Sequence, residues 1–320
     1  MTSNVRHFTG MAAPAKVNAQ NCLQGLNADL LAGSLPFVQA LQRQTVVVVF
    51  AGTASYDPAI RQTFAQDISL LAMMGAQTVL IHGGAPAFHA AGGASLVERV
   101  ATQVTRTAMA EINLELVRLI NQHGPRAIGL AGQDGQLLRA APPATAGRAA
   151  EVAELDASLL QIMQAQGLLP VIMPMAPDAD GNDQLLLPEC IGSLLAQRLK
   201  ANTLVLMVNS DVLHAVDSHD GLNSRTQLEV WLGEHSEALG ATTVRAALDA
   251  LGHGVSTVHL VEAGVPHALL SQLLTEEGCG MALCRRSGAS LLADSSRYFH
   301  DCDSLLRPDF QVERKRVVRF

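Results

Sequence analysis

A chain of 320 residues with 48% hydrophobic content is long enough to bury a sizeable core, in one large domain or two joined ones. Its formal charge of −7 lacks the basic excess that a nucleic-acid partner needs, and no apolar run approaches the ~20 residues that span a bilayer, so neither nucleic acid nor membrane is an expected partner. Aromatic residues make up only 3%, which leaves Ala, Leu, Val and Ile to build the core.

Met1 to Gln20 lacks the positive-then-apolar layout of a signal peptide. The five cysteines (Cys22, Cys190, Cys279, Cys284, Cys302) are odd in number and scattered, as suits reduced thiols in a cytoplasmic protein. Without paired spacing they offer no metal site, and none is expected. The first 29 residues form an extension in which Leu23, Leu26 and Leu30 suggest a helix.

Thr45–Phe50 (TVVVVF) is a continuous β-branched run, as burial on both faces of a parallel sheet requires. Ala51-Gly52-Thr53-Ala54-Ser55 supplies a tight turn, and a helix starts at Asp57-Pro58. Asp57 can accept from the unpaired first-turn amides, and Pro58 has no amide to leave unpaired. Phe64, Ile68, Leu70, Leu71 and Met74 are read as one apolar face, ended by Gly75 in a left-handed conformation. A second buried strand, Thr78–Ile81, leads to His82-Gly83-Gly84-Ala85-Pro86. This β-α-β order with a glycine loop is the start of a nucleotide or anion site.

Further along, the pattern predicts a long helix over 96–123, strands over 127–130 and 137–139, and a Pro/Ala/Gly connector over 141–147. A helix over 156–166 and a buried strand ending at Pro174 follow, then a polar hairpin loop over 178–183. The second half reads as a helix from Pro188 to Ala201, a strand at Thr203–Val208, helices over 226–237 and 244–251, a strand over 257–261 and a helix over 266–275. Strands alternating with helices imply a mostly parallel central sheet covered by helices on both faces. The basic tail Val312–Phe320 reads as a solvated end or an edge strand.

The blocks VVVVFAG, FAQDISLLAMMGAQTVLIHGGAP, INLELVRLINQHGPRAIGLAGQDGQLLRA, GLLPVIMP, LLAQRLKANTLVLMV and GVSTVHLVEAGVPHALLSQLLTEEG resemble the acetylglutamate kinases of the amino-acid kinase superfamily. The resemblance covers about residues 35–284. It implies an α/β three-layer sandwich with an acylamino-acid half (30–187), a nucleotide half (188–284) and a C-terminal tail (285–320). The reaction it implies is ATP- and Mg-dependent phosphorylation of the side-chain carboxylate of N-acetyl-L-glutamate, a step of arginine biosynthesis. Some members of the family are hexamers interlaced by an N-terminal helix, so a homo-oligomer, dimer or hexamer, is expected. Acetylglutamate synthases also carry a degenerate kinase-like domain, but they add an acetyltransferase domain for which the residues after Arg285 are expected to be too few.

Phosphoryl transfer to a carboxylate needs cations and amide dipoles aimed at accumulating negative charge. The resemblance places the family's two phosphate-gripping lysines on Val49 and Thr243. Arg245 lies two residues beyond the second slot, about 200° around the helix and off its face. The Thr-Asp pair falls on Val208 and Asn209, and the asparagine of the Asn-x-Asn-Ala-Asp motif on Leu185. The motif's carboxylate survives as Glu189, which by itself is equally a helix-start acid facing the dipole. In the substrate loop, Gly83 and Gly84 match amides that hold the acylamino acid, since a β-carbon there would block close approach. His82 is expected to be packed and hydrogen-bonded. The substrate-carboxylate arginine maps near Ala94, with Arg99 or Arg106 as replacements; Gly52 and Asn209 are the remaining nucleotide-side candidates. The readings left open are a kinase, a pseudokinase that binds an acylamino acid or arginine-like metabolite, and a non-catalytic assembly subunit.

Overall fold

The computed structural model describes residues 32–52, 55, 57–84, 95–142, 149–217, 225–236, 238–275, 278–284 and 311–314; of 95–102, 225–227 and 311–314 only the backbone is described. The expected helix around Leu23–Leu30 and most of the connector over 141–147 lie outside these residues. Two compact units are present, Met1–Pro36 and Phe37–Phe320.

In the larger unit, twelve strands are described: β1 (Thr45–Phe50), β2 (Gln77–His82), β3 (Arg126–Leu130), β4 (Leu138–Ala140), β5 (Val152–Leu155), β6 (Leu168–Ile172), β7 (Met175–Pro177), β8 (Asp183–Leu185), β9 (Thr203–Val208), β10 (Thr257–Glu262), β11 (Met281–Cys284) and β12 (Gln311–Arg314). The helices are α1 (Pro58–Met73), α2 (Ser95–Gln122), α3 (Ser158–Ala165), α4 (Pro188–Arg198), α5 (Ser210–Asp217), α6 (Arg225–Glu234), α7 (Ala241–Gly252) and α8 (Ala268–Leu274). Eight strands form one sheet in the order β12-β11-β10-β9-β1-β2-β6-β3. From β10 to β3 every pairing is parallel; β11 and β12 add antiparallel pairings, so the basic tail contributes an edge strand.

β1 is central because both of its faces are apolar. All six residues are buried. Val47 and Val49 point into a core completed by α3, α4, α6 and α7, while Val46, Val48 and Phe50 point into one completed by α1, α2 and α8. The sheet is thus the middle layer of a three-layer sandwich, as the alternation of strands and helices implied. Phe50 stacks on Phe64 of α1 with ring centroids 4.0 Å apart, joining strand to helix.

α1 begins as its sequence dictates, with Pro58 in its first turn and the Asp57 carboxylate accepting from the Ala59 amide at 2.8 Å. Gly75 follows it at φ 97°, the left-handed stop. Phe64, Ile68 and Leu71 face the core, but Leu70 is 42% exposed and does not belong to that face: one residue before Leu71 it is turned about 100° away. The buried strand expected to run to Pro174 ends at Ile172, and Met175 starts a new strand that pairs with β8. Between β7 and β8, Asp178 accepts from the amides of Asp180 and Asn182 and from the Gln184 side chain, closing the polar hairpin. Sequence patterning also gave no sign of β5, α5 or β11, each eight residues or fewer.

Candidate functional site

The parallel strands β9, β1, β2, β6 and β3 end together, and their C-terminal edge carries the glycine loop. β2 delivers His82 to this edge fully buried. Its Nδ1–H donates to the Gly83 carbonyl at 3.0 Å, which leaves Nε2 to accept from the Asn113 amide at 3.2 Å. Asn113, on α2, also donates to the Val171 carbonyl at 3.0 Å and so ties helix, loop and β6 into one support. Burial in this setting pushes the His82 pKa down to about 4, so the ring is neutral at physiological pH. This fits a packed histidine.

The two glycines differ. The Gly83 amide donates to the Phe50 carbonyl at 2.7 Å, extending the β1–β2 ladder, and a β-carbon at Gly83 would lie 3.0 Å from the Ala51 Cα. Its amide is therefore not presented to a ligand, contrary to the expectation for that residue. Gly84 is buried at φ 121°, a conformation side chains disfavour, and its amide has no partner among the described residues. Of the pair, Gly84 alone has an amide without a partner among the described residues.

Toward β1 and β9, the residues that the resemblance aligns with the family's lysines, Val49 and Thr243, are core residues. Val49 is fully buried, and its Cγ2 packs so closely on Gly192 of α4 that a β-carbon there would collide with it. Gly192 lies three residues after Glu189, on the same helix face. Glu189 is half-buried in the first turn of α4, and desolvation raises its carboxyl pKa, opposed by a hydrogen bond from its own backbone amide. Thr243 is buried in α7, whereas Arg245 is exposed, on a different face. The field of Arg245 reaches Cys190, whose thiol burial and the neighbouring Glu189 charge push up to about 11, an unreactive state. Val208 is buried at the end of β9. Asn209 follows, its side chain lying over Gly52, where φ 85° and the absence of a β-carbon are both required. Gly52 and Asn209 are thus brought together.

Toward β6 and β3 the edge is apolar. The register pairs Ile81 with Ile172, so Met173 stands level with His82, and the Met173 amide donates to the Leu130 carbonyl at 2.8 Å. Met109, Met173 and Met175 form a small cluster against which Ala110, Ala131 and Leu185 pack, half-buried. Arg106, a candidate replacement for the substrate arginine, pairs with Asp183 of the hairpin at 2.5 Å. The side chain of Arg99 lies outside the described residues.

Three arrangements near this edge escaped sequence reasoning. Besides Asn113, Arg61 donates to the Ser55 carbonyl at 2.7 Å and pairs with Glu115 of α2 at 2.7 Å, bracing the turn after β1. Asp67, buried in α1, accepts from His267 Nδ1 at 2.6 Å, and desolvation raises its pKa against that hydrogen bond. His267 sits at φ 58° before α8, so this contact holds a conformation that β-carbons disfavour. Among the described residues no group of three or more His, Cys, Asp or Glu is arranged to hold a metal ion, and no helix is long and apolar enough to cross a membrane.

Known proteins place this architecture. The profile of the Amino acid kinase family matches residues 44–262. An acetylglutamate kinase of Nitrosomonas eutropha is 30% identical over 277 residues, covering 79% of this chain and 94% of that one. A second, from Alkalilimnicola ehrlichii, is 30% identical over 303 residues, covering 84% and 98%. Among solved structures, N-acetylglutamate synthase from Neisseria gonorrhoeae, complexed with coenzyme A and N-acetyl-glutamate, superposes with a TM-score of 0.64 at 18% identity, over 82% of this chain and 66% of that one. An isopentenyl phosphate kinase gives 0.53 at 16% identity, over 72% and 96%. The chain belongs to the amino acid kinase family, as an acetylglutamate kinase-like member.

Proposed function

We propose that this protein binds a small acylamino acid at the Gly84 edge and does not carry out ordinary phosphoryl transfer, a pseudokinase serving as regulator or carrier. The observation that carries this reading is the packing of a fully buried Val49 against Gly192, one turn after Glu189 on α4. A lysine at position 49 would run beside Gly192 toward the start of α4. In its place a fully buried valine fills the space, and burial raises the Glu189 pKa.

ATP with Mg is the cofactor of the family reaction, and the residues present do not fit it. A triphosphate needs cations or hydroxyls at its oxygens, whereas Val49, Thr243 and Val208 are buried in the core, leaving Gly52 and Asn209. The acylamino-acid side keeps what its chemistry needs, an unshared amide at a positive-φ glycine on a rigid, hydrogen-bonded support. The acylamino-acid ligand itself is inferred from the acetylglutamate kinases to which the chain is about 30% identical.

Calorimetric titration of the full chain with N-acetyl-L-glutamate and with Mg-ATP, separately, tests the reading. Saturable heat with the acylamino acid, abolished in a folded Gly84→Val variant, and no saturable Mg-dependent response to ATP are expected. Tight Mg-ATP binding would remove the main support. The second reading, the family reaction itself, is favoured by the coverage of 94–98% of the related kinases, and it requires a cation supplied from outside the described residues. A homo-oligomer and a cytoplasmic location accompany both readings.

A further inference from the structure

We infer that the ligand anchored at Gly84 carries an apolar group directed across the ends of β6 and β3, so that the preferred ligands are N-acyl derivatives of aliphatic amino acids. This rests on the acylamino-acid reading and refines its side-chain chemistry.

The sheet register dictates what lies beside the anchor. From Gly84 the edge runs to Met173 on β6 and then to Leu130 and Ala131 at the end of β3, with Leu185 of the β7–β8 hairpin packed on the same group. Each of these side chains is apolar, and Ala110, Ala131 and Leu185 remain half-buried, so the cluster has apolar surface left to cover. A carboxylate laid against these apolar side chains would lose hydration without gaining a hydrogen bond from any of them. An aliphatic chain would gain instead, by about 25 cal/mol for each Å² removed from water.

A second observation points to a polar partner on the same wall. Thr105 is 2% exposed, and its hydroxyl has no hydrogen-bond partner among the described residues. It stands one helical turn before Met109 and two turns before Asn113, on the stripe of α2 that faces the cluster and His82. A buried hydroxyl without a partner is costly, and the amide of an N-acyl amino acid offers both a donor and an acceptor to satisfy it. The three elements together, an anion-directed amide, an apolar wall and a waiting hydroxyl, match a carboxylate, an aliphatic side chain and an acyl amide.

Calorimetry on the full chain with N-acetyl-L-leucine and N-acetyl-L-glutamate decides the matter. N-acetyl-L-leucine should bind at least about tenfold more tightly, as expected for a few methylenes laid on apolar side chains. A folded Leu185→Asn variant should narrow the difference to within about threefold, and Thr105→Val should weaken both ligands. If N-acetyl-L-glutamate binds as tightly as N-acetyl-L-leucine or more so, the apolar inference is overturned while the acylamino-acid reading stands. If neither binds, both are overturned.

Discussion

Replacing His82 by asparagine should change how the protein responds to acid more than it changes the fold. The imidazole is fully buried, donates to Gly83 and accepts from Asn113, and a proton on Nε2 would face the Asn113 amide as donor against donor. The folded-state pKa is therefore depressed to about 4 from the ordinary 6.5. For a depressed histidine the unfolded chain takes up the proton first. Its contribution to stability is complete above pH 6.5 and is lost as pH falls toward 4. At about 1.4 kcal/mol per pH unit, roughly 2 kcal/mol is gone by pH 5 and 3 kcal/mol by pH 4. An asparagine amide does not titrate and can still donate to the Gly83 carbonyl. Urea unfolding at pH 7, 6, 5 and 4.5, followed by circular dichroism for both proteins, isolates the ring, because all other titrating groups are shared. The variant should be less stable at pH 7 and lose its stability less steeply on acidification. Parallel pH dependences would show that the ring is not held neutral and would refute the account of the loop's support.

Glu189→Gln should raise stability at pH 7, with a gain that shrinks toward pH 4. A raised carboxylate favours the fold below its ordinary pKa and loses that advantage as pH rises, and a lower melting temperature for the variant at pH 7 would mean that a cation holds the carboxylate. Gly192→Ala should destabilise by about 1–3 kcal/mol through its collision with Val49, and Val49→Ala in that background should recover part of the loss; additive effects would remove Val49 from the contact. Gly132→Ala puts a β-carbon 2.5 Å from the Ala176 Cβ and 2.7 Å from the Met175 oxygen, so a loss of about 1–3 kcal/mol in chemical denaturation is expected, and none would contradict the packing of the β7 strand. Asp67→Ala strips His267 of its partner and should cost about 1–3 kcal/mol, with amide exchange rising first in α8; unchanged protection there would show that the contact does not anchor that helix.

The scaffold was legible because its signals are local. β1 and β9 fall on the residues their apolar runs mark, since burial on both faces leaves no register in which those runs could be exposed. Asp57-Pro58 and Gly75 fix the two ends of α1 through chemistry confined to a few residues. The site was less legible because its parts meet through the tertiary fold. Asn113 in mid-helix reads as a surface residue until β6 and His82 are brought to it. Asp67 and His267 stand 200 residues apart. The two glycines of the loop look equivalent in sequence, yet strand pairing takes the amide of one and leaves the other. Val49 reads as a buried strand residue from the sequence, whereas its close packing on Gly192 of α4 required the tertiary fold.

If this kinase fold lacks the charge for its family's reaction, as proposed, coupled ADP release from Mg-ATP with N-acetyl-L-glutamate will be absent at enzyme rates. Each missing charge-stabilising donor costs about 2.7–4 kcal/mol of barrier, so even partial additivity lowers turnover by roughly ten-thousand-fold. From the usual range of about 1–1,000 per second, the account predicts a rate below about 0.1 per second, unchanged when the acylamino acid is left out. ADP release at about 1 per second or faster that requires both substrates would contradict it.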